Sequence, residues 1–233
     1  MHLFMKTTRR WGIAAGVILA SVAVLYLLLY MYERPGGWSD QRMSHSLGLK
    51  QTLQIPLGAS PEEAVELFRH SDSMTVIHQE PVARGKLVFL ARAGRQEGSD
   101  LQVEYVRKTW LGWKWVWGAG YGMSKDPSAS AINYMRVPEL EQISTPFPML
   151  FGEVLDPSIQ HIVVQQKEAG IDKSEAKLIQ AGPDRTIWLA FQPATAGVPF
   201  EIEGLDENRE IIVSKVITDI RDSGSIDSTR RMQ

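Results

Sequence analysis

From Gly12 to Tyr32 the chain reads GIAAGVILASVAVLYLLLYMY, apolar on every side and without a charge. A helix made from it has no polar face to turn toward water, and at about 1.5 Å per residue it reaches about 30 Å, the depth of a bilayer's hydrocarbon core. The stretch predicts a transmembrane helix over 12–32. Lys6, Arg9 and Arg10 crowd its N-terminal flank, whereas Arg34, Arg42 and Lys50 are spread among Glu33 and Asp40 on the other side. This asymmetry places residues 1–11 in the cytoplasm and the bulk of the chain outside. Trp11, Tyr30 and Tyr32 fit an aromatic belt at the two interfaces. A cleaved signal peptide shares the basic start and apolar run, but here the run ends in bulky Leu, Tyr and Met with no A-x-A-like site, which favours an anchor. Gly12, Gly16 and Ala20 recur every fourth residue, the spacing through which two membrane helices pair weakly, although such residues are also simply common in membrane helices.

Periodicity vanishes in ERPGGWSDQRMSHSLG, and 33–52 reads as a linker. It returns at Ser60-Pro61-Glu62-Glu63, a helix start with serine as N-cap, proline in the first turn and Glu63 positioned for a capping box. Ala64, Val65, Leu67 and Phe68 form the apolar stripe of a short helix ending near His70. From Thr75 the period becomes two. Leu87, Phe89 and Ala91 share one face of GKLVFLARAG, and Leu101, Val103 and Tyr105 share one face of DLQVEYV, which predicts a hairpin. The next strand, after the Thr109–Gly112 turn, holds Trp113, Trp115 and Trp117 on one face with Lys114 and Val116 on the other. These pieces compose a helix-on-antiparallel-sheet module over 53–136. Beyond VPELEQISTPFPM, the segments HIVVQ, AKLIQ, TIWLAFQ, PFEIEG and EIIVSKVI, separated by turns, predict a small β-sandwich-like module over 146–221. DSGSIDSTRRMQ, from 222 to 233, reads as a disordered tail. The fold class is α+β.

Composition narrows the chemistry. The 233 residues carry a net charge of −2 and no basic stripe, which excludes nucleic acid as a partner. The absence of cysteine removes disulfides, thiolate metal sites, a lipoprotein anchor and a cysteine nucleophile. GAGYG, Gly118 to Gly122, departs from the dinucleotide fingerprint because its third glycine falls one position early and MSKDPS follows in place of a helix. His78 and Glu80 share a strand face but have no third ligand nearby in sequence, and His45, His70 and His161 are scattered. No nucleophile elbow occurs, and Asp156, Asp172 and Asp206 fall in turns, where aspartate caps backbone amides. No catalytic, cofactor or metal residue is expected.

The cluster KTWLGWKWVWGAGYG, with four of the chain's seven tryptophans, remains. Trp113, Trp115, Trp117 and Tyr121, flanked by Lys114, are the candidate ligand or partner surface: a row of ring faces on which sugars of a cell-wall glycan stack. The competing reading, which outweighs it, is a core wall beneath Leu67 and Phe68, with Trp115 inside and Lys114 in water.

SPEEAVELF, VRKTWLGWKWVWG, FGEVLDPSIQHIVV and GLDENREIIVSK behind a membrane helix resemble uncharacterised single-pass membrane proteins of Gram-positive bacteria, with GWKWVWG the most specific part. The resemblance implies a cell-surface location at the plasma membrane and carries no site residues. The function expected is non-catalytic binding or organisation of an envelope protein; the alternatives are a glycan-binding module and an unmarked hydrolase.

Overall fold

The computed structural model describes residues 2–70, 74–92, 99–123, 130–140, 143–166 and 173–228. The expected turns in HSDS and GRQEGSD, the MSKDPS segment and the end of the tail lie largely outside these residues, as does Asp172.

The chain opens with helix α1 (His2–Glu33), long and apolar enough to cross a membrane, whose apolar window is not buried against the rest of the protein. Helix α2 (Trp38–Ser46) follows. Then come strand β1 (Leu57–Gly58), helix α3 (Pro61–Arg69) and four long strands, β2 (Met74–Val82), β3 (Gly85–Arg92), β4 (Ser99–Thr109) and β5 (Gly112–Met123). The remainder is β6 (Ser130–Val137), β7 (Met149–Val154), β8 (His161–Gln166), β9 (Lys173–Glu175), β10 (Lys177–Gly182), β11 (Arg185–Phe191), β12 (Phe200–Leu205), β13 (Ile211–Ile217) and β14 (Ser223–Asp227). Beyond α1 the body is a β-rich core.

The strands form three antiparallel sheets, in the orders β1-β5-β4-β3-β2, β10-β11-β7-β6-β14 and β13-β12-β8-β9. Helix α3 covers one face of the first sheet. It starts as its sequence directs, with the Ser60 hydroxyl accepting from Glu63 N, while the Glu63 carboxylate reaches back to Ala59 N at 2.6 Å. It ends at His70, in the left-handed region at φ 50°. The opposite face of the first sheet packs on the second: Phe89 and Tyr121 meet Phe151, and Tyr105 meets Phe147, in one core shared with Met149, Ile187 and Leu189. The other face of the second sheet presents Ile132, Tyr134, Leu150 and Trp188 to Ile162, Ile202 and Val213 of the third, in a second core. Gly152 permits the approach of Trp188, since a Cβ there would collide with Asn133 O and the indole nitrogen.

Several expectations are corrected. The segment read as a linker contains α2, which is fixed to the body: Asp40 accepts from Gly36 N and Ile55 N, and Ser44 accepts from Leu53 N. Strand β6, assigned to the first module, belongs to the second sheet, and the two cores make a continuous stack in place of two modules. Residues 223–227 of the expected disordered tail are β14, paired with β6 from Ser223–Met135 to Asp227–Ser130. The turn expected before β5 is present, but the tryptophans of that strand do not share one face. Tyr105 pairs with Trp117 and Val106 with Trp115, so Val116 is the extra residue of a β-bulge, and a one-residue insertion reverses the side that later residues face. Trp113 and Trp115 lie on the α3 side, and Trp117 lies with Tyr105 and Lys114 on the other.

Candidate functional site

Trp115 is 5% exposed. Phe68 of α3 stacks on it with ring centroids 3.8 Å apart, and its indole donates to Glu104 Oε2 at 2.5 Å. Neither face of the ring is left as a platform. Trp113 is half-buried with the Lys108 ammonium 4.8 Å from its ring centre. Trp117 and Tyr121 are half-buried on the inter-sheet side, Tyr121 stacked near Phe151. The five residues singled out by sequence are thus distributed over two faces of the sheet, and Lys114, expected in water, is 2% exposed.

Lys114 leads to a buried polar cluster that joins three elements. Its ammonium lies 2.5 Å from Asp40 Oδ1 and donates to Glu33 O at 2.7 Å and Ser39 Oγ at 3.0 Å. One strand over, both terminal nitrogens of Arg107 donate to the two Glu33 carboxylate oxygens at 2.8 Å. Asp40 is 1% exposed, and its other oxygen is occupied by backbone amides. Burial pulls the Lys114 ammonium below its ordinary pKa of 10.5, only partly offset by Asp40. Burial also disfavours charge on Arg107, but the bidentate Glu33 outweighs it and the net shift is upward. The cluster ties three elements together: the end of α1 through Glu33, α2 through Ser39 and Asp40, and the first sheet through Arg107 and Lys114. A cleft of about 270 Å³ opens beside it, lined by Tyr32, Arg42, Arg84, Arg107, Lys114 and Ile143 among others.

Sequence reasoning singled out Lys114 for the wrong environment and missed its partners. A signal was available: Gly37 precedes Trp38-Ser39-Asp40, a capping position followed by an acid in the first turn, which is a helix start. The pairing of Glu33 with Arg107, 74 residues away, carries no local signal.

A second polar cluster sits under α3. Glu104 is fully buried, paired with Arg69 Nη2 at 2.7 Å and bonded to Trp115 and Gln102. Burial raises its pKa above the ordinary 4.5 despite Arg69. Gly118 makes this possible, because a Cβ there would collide with the Glu104 carboxylate and Arg69. The GAGYG run is therefore not a phosphate turn but part of strand β5, bare so that polar side chains from β4 lie across it. His78 bonds Glu80 at 3.2 Å, and Lys177 completes the contact at 2.8 Å. Among the described residues no group of three His, Cys, Asp or Glu side chains converges for a metal.

No protein-family model, no curated protein and no solved structure matches the chain.

Proposed function

We propose that this protein is a single-pass, membrane-anchored envelope protein of a bacterium, with its body extracytoplasmic, which binds or organises a partner protein without catalysing a reaction. The observation that carries the reading is the junction. Glu33, the residue immediately after the apolar run, is gripped by Arg107, and its carbonyl accepts from Lys114. A body joined in this way holds its surfaces at a set height and orientation above the bilayer, which serves assembly with a neighbouring envelope protein better than free capture at the end of a flexible linker. The exposed apolar residues Ile211 and Val216 on β13, an edge strand of the third sheet, offer a contact face. The resemblance carried by GWKWVWG is in keeping with such a location.

Photo-crosslinking residues placed at Ile211 and Val216 in cells are expected to capture a discrete envelope protein. Adducts absent from both positions, with the protein present and folded, sink the partner reading. Protease added to intact, wall-stripped cells should digest the C-terminal part, and protection would reverse the orientation.

A further inference from the structure

Three arginines converge where α1 meets the body. Arg84 occupies the β2–β3 turn in the left-handed region at φ 65°, its carbonyl accepting from Lys108 N at 3.0 Å. Arg107 lies beside it on β4, opposite Gly85, and Arg42 comes from α2. With Lys114 they line the cleft with four cations against the one carboxylate of Asp40, Glu33 pairing with Arg107 beside it, and the division of labour among them is unequal. Arg107 and Lys114 are occupied by Glu33 and Asp40. The guanidinium groups of Arg42 and Arg84 are exposed and have no ion-pair partner among the described residues.

The depth of this cleft is set by α1. Tyr32 closes the apolar run and lines the cleft, and Glu33 touches Arg107, so the cleft lies at the end of the hydrocarbon core. The polar layer of a leaflet extends about 5 to 7 Å further. Trp110, 87% exposed, is in the turn three residues beyond Arg107, and Trp38, 49% exposed, begins α2. Indoles concentrate at headgroup level because one edge is polar and the rest apolar. Planar guanidinium groups match phosphate oxygens, and excess positive charge favours an anionic surface.

We propose that this cleft receives the phosphate of an anionic phospholipid from the bilayer that α1 enters, held by Arg42 and Arg84, with Trp110 and Trp38 resting in the headgroup layer. The proposal rests on the anchor reading, and the two fail separately. If carbonate washing strips the protein from membranes, α1 is not an anchor. If the protein stays but shows no lipid preference, only the headgroup site is lost.

The test uses the full chain in nanodiscs of phosphatidylcholine containing a minority of phosphatidylglycerol, with retained lipid read by native mass spectrometry. Phosphatidylglycerol should be retained over phosphatidylcholine, and Arg42→Gln and Arg84→Gln should each lower that preference about fivefold, the factor one basic residue contributes near an anionic surface. Arg42→Lys with Arg84→Lys should restore most of it. Both arginines are exposed, so an unchanged melt for the glutamine variants is expected and shows that the loss is not unfolding. Equal retention of the two lipids, or full preference in the Arg42→Gln/Arg84→Gln double variant, overturns the proposal. Displacement of the lipid by millimolar inorganic phosphate overturns it in favour of a soluble anion.

Discussion

An ammonium group enclosed as Lys114 is has given up its water, and the attraction of Asp40 with two further acceptors compensates only while all of them are present. Lys114→Met leaves Asp40 buried without its cation and should cost about 3 to 5 kcal/mol in chemical denaturation. Adding Asp40→Asn removes the orphaned charge while retaining an acceptor for the amides of Gly36 and Ile55, so the double variant should recover at least about half of that loss. A double variant no better than Lys114→Met would show that the pair's charge is not what matters. Glu104 provides the titration counterpart. Its folded-state pKa lies above the ordinary 4.5, so the native protein holds a proton that the unfolded chain releases. The stability from that difference is complete below the unfolded value and is lost as pH rises through the folded one. Glu104→Gln abolishes this dependence. Melts from about pH 4 to about pH 8 should therefore show the wild type losing ground to the variant as pH rises above 4.5, and a constant or opposite trend would remove burial as the dominant influence on Glu104. For Trp115→Ala, loss of the ring stacked on Phe68 should cost about 3 to 5 kcal/mol.

At the scale of elements, β14 closes an edge that would otherwise lie open. It pairs with β6, buries Ile226 and bonds Ser225 to Asn133 at 2.6 Å. A chain ending at Asp222 loses about 2 kcal/mol from Ile226 alone and exposes the hydrogen-bonding edge of β6. Sedimentation velocity should show concentration-dependent association of that chain, and a stable monomer would mean the edge is already protected. Sequence logic makes some elements readable and hides others for physical reasons. Helix α3 is legible because Ser60-Pro61 states its start and its stripe has one face to bury. The β3–β4 hairpin is legible because Leu87, Phe89 and Ala91 pair with Tyr105, Val103 and Leu101 in the expected alternation. Helix α2 escapes because its role is to position Asp40, Met43 and Ser44, too few apolar contacts to give a period. The bulge at Val116 escapes because alternating tryptophans on one strand cannot show how the partner strand counts. The stacking of sheets did leave a trace: Leu87 to Ala91 and Ile187 to Ala190 are continuous apolar runs, buried throughout, as strands covered on both faces require.

At the scale of the molecule, α3, the three sheets and the apolar helix α1 form a chain of dependences that starts before residue 53. Asp40, Met43 and Ser44 are buried in contact with the body, and the polar contacts of Lys114 come from Glu33, Ser39 and Asp40. The folding unit beyond the apolar run therefore begins at Glu33, and the segment holding α2 carries the counter-charges of the first sheet. Two soluble fragments separate this from a tethered-domain arrangement. One starting at residue 33 retains Asp40, both oxygens of Glu33 and the Met43 contact, and should melt cooperatively. One starting at residue 53 loses every polar contact of Lys114, which then meets water, and uncovers Ile55, so it should be less stable by about 2 kcal/mol from the exposed apolar surface alone. Lys114→Met in the shorter fragment should then change its stability little, because the ammonium there has neither partners nor cover to lose, whereas the same change lowers that of the longer one by about 3 kcal/mol or more. This difference in sensitivity is specific to the junction. Equal stability of the two fragments, with Lys114→Met acting to the same extent in both, would mean that the body folds without its mount and hangs from α1 as an independent domain.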